Sequence, residues 1–199
     1  MKKYLKYVPN ILTIIRFLLI PIIITLLSSG KYVDAIIVFS ISGITDILDG
    51  TIARKFDLIS DFGKLMDPLA DKLTQLSMLL MLTVKKIIPI WIVIVVFIKE
   101  FCMICGASFL YGKELVVSSK WYGKAATSLF YLAIVVSLIL KELEPSILAS
   151  QPIGDSVRPL ILYAALPIYC IAILMTLFSL AMYIKAFFVQ GYLKKEKVN

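Results

Sequence analysis

Apolar runs of about 20 residues recur along this 199-residue chain, and they restrict its fold more than any other feature. A helix of about 20 apolar residues crosses the hydrocarbon core of a bilayer. Hydrophobic residues make up 60% of the chain and charged residues 17%, whereas a soluble domain is about half apolar and about a quarter charged. We therefore predict that this chain folds in lipid.

Hydropathy predicts an all-α fold, an integral membrane bundle of six transmembrane helices. The predicted spans cover roughly residues 11–29, 33–55, 62–84, 87–111, 122–141 and 160–188. Glycine and proline are expected to break the chain between them, at Gly30, Pro89, Gly112, Pro145, Pro152 and Pro159. The first run carries Arg16 and lacks a small-residue cleavage site, so it is interpreted as a retained helix rather than a signal peptide. With no repeat or second domain visible, residues 1–199 are predicted to form one membrane domain.

The distribution of basic residues predicts the orientation in the membrane. An even number of spans puts both termini on one side, and most lysines and arginines then fall on that side. Because cytoplasmic loops carry the basic excess, the termini are predicted to be cytoplasmic in a multi-pass protein of the cell (inner) membrane. Basic and aromatic residues interleave over residues 2–7, which predicts a short amphipathic N-terminal helix on the membrane surface. The net charge of +8 accordingly indicates an anionic membrane face, not nucleic acid.

Four aspartates between the second and third spans form the strongest candidate for chemistry. Asp46 and Asp49 are three residues apart, and Asp67 and Asp71 are four apart, so each pair lies on one helical face. A turn around residues 57–60 would make the two helices antiparallel and bring the four carboxylates together near the cytoplasmic boundary.

Converging carboxylates repel one another, and bound divalent cations relieve that repulsion. Oxygen ligands favour Mg²⁺, Mn²⁺ or Ca²⁺, which usually also bind substrate phosphates, so the pattern points to phosphoryl chemistry. The chain has no histidine, which leaves carboxylates, lysines and hydroxyls to do acid–base work. A solvated loop in which acids happen to cluster is the alternative, and the spacing on two apolar helices argues against it.

The segment TDILDGTIARKFDLISDFGKLMDPLADK resembles the signature of the CDP-alcohol phosphotransferase family, D-x2-D-G-x2-A-R-x8-G-x3-D-x3-D. Every fixed position of that signature is present: Asp46, Asp49, Gly50, Ala53, Arg54, Gly63, Asp67 and Asp71. The resemblance implies a homodimeric enzyme that moves a phosphatidyl group from CDP-diacylglycerol to an alcohol and releases CMP.

The same resemblance implies a role for each matched residue. Two Mg²⁺ or Mn²⁺ ions would be held by Asp46, Asp49, Asp67 and Asp71. Asp71 would also be the general base that takes the proton of the acceptor hydroxyl. The CDP group would be bound by Asp49, Gly50, Ala53, Arg54, Gly63 and Asp67.

The first span opens with VPNILTIIR, which looks like the P-N-x-L-T-x-x-R opening of phosphatidylglycerophosphate synthases and eukaryotic-type cardiolipin synthases. Asn10, Thr13 and Arg16 form a polar stripe on an apolar helix and are expected to face the active cavity. A lipid-snorkelling arginine is the alternative for Arg16. The predicted acceptor-binding set is Asn10, Thr13, Arg16, Lys99, Lys120 and Lys124. Lys99 could instead form a charge pair with Glu100 within the span.

The identity of the acceptor depends on two alanines. Phosphatidylglycerophosphate synthases usually carry cations where this chain has Ala107 and Ala126, and glycerol 3-phosphate, nearly a dianion, needs several cationic donors. Cardiolipin synthases of this family resemble the chain at both positions. The sequence therefore favours phosphatidylglycerol slightly, with glycerol 3-phosphate as a nearly equal alternative.

Two further functions fit parts of this pattern. A small cation transporter or channel would explain aspartates inside the membrane, but not Gly50, Ala53, Arg54 and Gly63 at matching positions. Inositol phosphate, serine or another polar alcohol as acceptor would need different contacts, which this sequence does not resolve.

Overall fold

A computed structural model describes residues 8–55, 61–110, 121–149, 161 and 163–196. Regular structure in those ranges is entirely α-helical, in six helices: α1 Val8–Ser28, α2 Tyr32–Lys55, α3 Asp61–Val84, α4 Ile90–Leu110, α5 Trp121–Ala149 and α6 Leu166–Glu196. The all-α prediction is confirmed, and each helix overlaps one predicted span. The predicted surface helix over residues 2–7 lies outside the described residues.

The predicted break at Pro145 is wrong, because α5 runs through it to Ala149. Proline's fixed φ is compatible with a helix, although its ring removes one hydrogen bond and crowds the carbonyl four residues earlier. Transmembrane helices tolerate such a loss when neighbouring groups satisfy the freed carbonyl. The breaks predicted at Gly30 and Pro89 are confirmed, since neither residue lies within a helix.

The described residues fall into two compact units, and α5 contributes to both. The first unit takes in the described residues of 1–88 and 134–163, and the second those of 89–133 and 164–199.

In the first unit, α1 packs against both α2 and α3. The turn at Gly30 reverses the chain between α1 and α2, so these two helices are antiparallel. Near the end of α3, the Lys85 ammonium donates to the Ser28 carbonyl at 2.8 Å, at the end of α1. Since Thr13 and Asp67 also meet near the starts of the same two helices, α1 and α3 run parallel.

Helices α1 and α3 end in the same local structure. After α1, Gly30 has φ 74°, its N–H donates to the Leu27 carbonyl, and the Lys31 N–H donates to the Leu26 carbonyl. After α3, Lys86 has φ 57° and the equivalent bonds run to Thr83 and Leu82. Both are Schellman caps, in which a left-handed residue lets two otherwise unpaired carbonyls accept hydrogen bonds.

In the second unit, aromatic contacts join α5 to α6. The rings of Tyr122 and Phe178 meet edge to face with centroids 5.4 Å apart, and those of Phe130 and Tyr169 lie 6.3 Å apart. The residue numbers rise along α5 as they fall along α6, so these stretches are antiparallel. Helix α4 packs against α6 in the same unit.

The outward faces of the helices are apolar, and several polar side chains are buried. Leu18, Trp121 and Leu174 are 61%, 71% and 66% exposed, while Arg16 is 1% exposed. Large apolar side chains exposed on several helices are unusual for a soluble monomer and fit a lipid environment. Among the described residues, helices long and apolar enough to cross a membrane include Ile11–Ser28, Trp121–Leu148 and Leu166–Lys185. The protein is therefore a membrane protein, while six crossings stay a prediction.

Candidate active site

One face of α1 carries the buried polar side chains of the site. Thr13 is 0% and Arg16 is 1% exposed, whereas Ile14, Ile15 and Leu18 on the other faces are exposed. Residues three apart in a helix share a face, so Thr13 and Arg16 point the same way, towards the neighbouring helices. The predicted polar stripe is therefore directed into the first unit, and the lipid-snorkelling alternative for Arg16 is wrong.

Arg16 forms an ion pair with the first aspartate of the signature. Its Nη1 lies 2.8 Å from Oδ1 of Asp46 on α2. The Asp46 side chain is 41% exposed and the Arg16 side chain only 1%. The carboxylate is thus the accessible member of the pair, and the guanidinium lies behind it.

Thr13 contacts an aspartate on the other neighbouring helix. Its hydroxyl Oγ1 donates to Oδ1 of Asp67 on α3. Asp67 is partly exposed, whereas Thr13 is completely buried. One turn of α1 therefore engages a carboxylate from α2 and another from α3. The predicted site residues Asp46 and Asp67 are thereby held beside the same turn.

Asp71 continues the Asp67 face of α3 by one turn. It is partly exposed, while its neighbours Ala70 and Thr74 are buried. The Thr74 hydroxyl donates to the Ala70 carbonyl at 2.8 Å, so it is satisfied within its own helix.

The remaining signature residues lie on helices whose side chains there are not described. Helix α2 continues through Asp49, Gly50, Ala53 and Arg54 to Lys55, and Gly63 lies in the first turn of α3. Helical backbone through these positions keeps Asp49 on the same face as Asp46. Asn10 lies in the first turn of α1, also without a described side chain.

Among the described side chains, no three acidic or cysteine residues are grouped closely enough to hold a metal ion. Asp49, the fourth predicted metal ligand, is not among the described side chains. The donors that can be described, on Asp46, Asp67 and Asp71, are all carboxylate oxygens, which is the ligand type that Mg²⁺ and Mn²⁺ prefer.

Two of the predicted acceptor lysines, Lys99 and Lys124, belong to the second unit. Lys99 pairs with Glu100 at 2.7 Å, with side chains 12% and 15% exposed, so the charge pair considered from the sequence is present. Lys124 is exposed on the first turn of α5. Lys120 lies outside the described residues.

Two buried polar residues were missed by the sequence reasoning. Ser42 lies one turn before Asp46 on α2 and is 1% exposed, and no described group forms a hydrogen bond with its Oγ. Gln75 lies one turn after Asp71 on α3 and is 3% exposed. Their spacing of four residues from the aspartates was the available signal, because it extends each acidic face deeper along its helix.

The sequence is similar to one protein family, and its relatives include proteins named as glycerol-3-phosphate phosphatidyltransferases and as cardiolipin synthases. The family described as CDP-alcohol phosphatidyltransferase matches residues 6–190. The chain is 34% identical over 162 residues to the CDP-diacylglycerol--glycerol-3-phosphate 3-phosphatidyltransferase of Bacillus subtilis, covering 74% of this chain and 83% of that protein. It is 35% identical over 130 residues to the cardiolipin synthase (CMP-forming) of Streptomyces coelicolor, covering 60% and 59% of the two chains. A probable cardiolipin synthase (CMP-forming) of Drosophila melanogaster is 36% identical over 104 residues, 52% of this chain and 32% of that protein.

Proposed function

The chain belongs to the CDP-alcohol phosphatidyltransferase family, and we propose that it transfers the phosphatidyl group of CDP-diacylglycerol to a glycerol-type alcohol, releasing CMP in phospholipid biosynthesis. The observation that carries this proposal is the meeting of signature aspartates from α2 and α3 at one turn of α1. Residues 1–199 act as one membrane domain in this proposal.

The aspartates of the signature carry the chemistry. Asp46, Asp49, Asp67 and Asp71 would hold Mg²⁺ or Mn²⁺, whose charge would offset the charge that builds on the pyrophosphate during transfer. Asp49 and Asp67, together with Gly50, Ala53, Arg54 and Gly63, bind the CDP group, and the arginine fork suits phosphate oxygens.

Asp71 acts as the general base. It takes the proton of the acceptor hydroxyl, whose oxygen then bonds to the phosphorus that carries the diacylglycerol. The bond from that phosphorus to the bridging oxygen breaks, and CMP leaves with the electron pair. Release of CMP and formation of a new phosphodiester are therefore equal in amount.

Phosphatidylglycerol is the acceptor that we favour. Ala126, at a position where phosphatidylglycerophosphate synthases commonly have lysine, is a buried alanine on α5. Lys99 is engaged by Glu100, so less positive charge remains for a dianionic acceptor. Asn10, Lys99, Lys120 and Lys124 stay candidates for contacts with the acceptor, whereas Thr13 and Arg16 engage carboxylates.

Glycerol 3-phosphate is the second candidate acceptor. The alignment with the Bacillus subtilis relative is longer than that with the Streptomyces coelicolor relative, 162 residues against 130. In that case Arg16, Lys99 and Lys124 would have to supply the charge that Ala107 and Ala126 lack.

The proposed setting is a homodimer in the cell membrane. Six spans would put both termini and the active site on the cytoplasmic side, which the distribution of basic residues favours.

An acceptor panel tests this function. Purified protein with CDP-diacylglycerol and Mg²⁺ or Mn²⁺ is given phosphatidylglycerol or glycerol 3-phosphate, and CMP and lipid products are measured. We expect CMP and cardiolipin with phosphatidylglycerol, loss of both with EDTA, and recovery when the cation is restored. Phosphatidylglycerophosphate alone would establish the second candidate, and no CMP with either alcohol or with other polar alcohols would contradict the enzyme and leave the cation transporter.

A further inference from the structure

The two buried donors of α1 each hold one aspartate of the proposed cation site. We propose that Thr13 and Arg16 are positioning residues that fix Asp67 and Asp46 for cation binding, rather than contacts to the acceptor alcohol. This inference rests on the proposed function, because it takes both aspartates as cation ligands.

The difference in exposure between the α1 donors and the aspartates favours a positioning role for Thr13 and Arg16 over contact with the acceptor. Arg16 and Thr13 are 1% and 0% exposed, whereas the Asp46 side chain is 41% exposed and Asp67 is partly exposed. A cation or substrate that reaches this place meets the carboxylates first. Thr13 and Arg16 lie behind them, where they can orient the aspartates but have almost no surface of their own to offer.

Helix geometry makes α1 a spacer between the two carboxylates. Positions 13 and 16 are separated by about 4.5 Å along a helix axis, from a rise of about 1.5 Å per residue. Thr13 engages the carboxylate from α3, and Arg16 engages the one from α2. Because both donors belong to one rigid turn, the separation of Asp46 and Asp67 is set by α1 and not only by the α2–α3 connection.

The Thr13 hydroxyl and the Arg16 guanidinium each contact one oxygen, Oδ1, of their aspartate. A carboxylate has about four lone-pair positions on two oxygens, so an aspartate held in this way keeps capacity to bind a cation. Partners that orient a ligand carboxylate typically change cation affinity about 10-fold to 100-fold when removed. The arrangement therefore has the chemistry of an outer support for ligands.

Thr13 gives the cleaner test of the two. The Arg16 guanidinium repels a nearby cation while it orients the carboxylate, so its removal has opposing effects on cation affinity. Thr13 is neutral, and Thr13→Val removes the donor with little change of shape. Thr13→Ser keeps the hydroxyl.

The first experiment measures Mn²⁺ binding to purified protein in lipid nanodiscs, without CDP-lipid or acceptor, from the electron paramagnetic resonance signal of free Mn²⁺. We expect Thr13→Val to weaken binding at least about 10-fold and Thr13→Ser to bind as the unmodified protein does. Thr25→Val is the matched control, because Thr25 is an exposed threonine of the same helix whose hydroxyl donates to its own helix at Ile22. It should leave binding unchanged, and wild-type affinity in Thr13→Val would overturn the proposal.

The second experiment separates positioning from acceptor contact at Arg16. Arg16→Lys keeps the charge but loses the planar fork. Positioning predicts a lower kcat with an unchanged KM for the acceptor that the unmodified protein uses. A raised acceptor KM together with unchanged Mn²⁺ binding would instead assign Arg16 to the acceptor and overturn its positioning role.

The unmodified protein distinguishes failure of this inference from failure of the proposed function. If it binds Mn²⁺ and releases CMP while Thr13→Val behaves identically, only the positioning role is wrong. If it releases no CMP, the proposed function is wrong. If it binds no Mn²⁺, the aspartates are not cation ligands and the positioning role is rejected with them.

Discussion

At the scale of single residues, Asp71 is distinguished from Asp67 by its place along α3. Asp67 accepts a hydrogen bond from the buried Thr13 hydroxyl of α1, Asp71 lies one turn further along the same face, and both are partly exposed. A carboxylate that removes a proton has to reach the substrate, and the partial exposure of Asp71 is compatible with the base role that we propose for it.

Asp71→Asn is the corresponding prediction. The amide keeps the size of the side chain but does not accept a proton, and general-base catalysis contributes about 10²–10⁴-fold. We expect turnover to fall by at least about 100-fold while CDP-lipid binding and thermal stability persist. CMP release measures turnover, and thermal unfolding in detergent measures stability.

The matched control is Asp34→Asn, since Asp34 is an exposed aspartate in the first turn of α2. It should leave CMP release unchanged. Full activity in Asp71→Asn would show that Asp71 is not the general base. An equal loss of CMP release in Asp71→Asn and Asp34→Asn would point to a general effect of charge.

At the scale of helices, the two Schellman caps differ in the residue that takes the left-handed conformation. Gly30 takes it after α1 and Lys86 after α3. A residue with a Cβ pays roughly 1–2 kcal/mol there, whereas glycine does not, although glycine loses more freedom on folding. The α3 cap is therefore the less favourable of the two, and it is supported by Ile87, which is buried directly after it.

Lys86→Gly should stabilise the protein. The strain energy that is relieved exceeds the entropic free-energy cost of ordering a glycine. The free energy of unfolding should therefore rise by about 0.5–1 kcal/mol. Lys86→Ala keeps the strain and should give no such gain, so it serves as the control. Thermal unfolding of both variants in one detergent measures the difference, and equal midpoints would argue against strain at this cap.

At the scale of the whole molecule, the membrane topology remains a prediction. The described part of the chain includes three helices that are long and apolar enough to cross, and the basic residues favour cytoplasmic termini. Because α1 is one of these candidate spans, the α1–α2 turn at Lys31 is expected on the opposite side of the membrane from the N-terminus.

Cysteine labelling tests this topology. In a chain whose Cys102, Cys105 and Cys170 are replaced by serine, Lys31→Cys should react with an impermeant maleimide in intact cells. Lys3→Cys should react only after permeabilisation. The serine background without a new cysteine is the control, and labelling of Lys3→Cys in intact cells would reverse the predicted orientation.

The sequence by itself determined the helices and the helix faces on which the signature aspartates lie. Each predicted span overlaps an observed helix, because hydropathy and helical periodicity are local properties of the chain. The spacing of Asp46, Asp49, Asp67 and Asp71 was likewise readable, since helix geometry alone puts each pair on one face. Pro145 was misjudged because its local effect is tolerated within a longer helix.

Only the tertiary structure decided which polar side chains meet. Thr13 and Asp67 are 54 residues apart, and Arg16 and Asp46 lie on different helices. No local pattern specifies such pairs, because they depend on how α1 is rotated against its neighbours. Burial was decided in the same way: packing of α1 against α2 and α3 covers Thr13 and Arg16 and leaves Asp46 accessible.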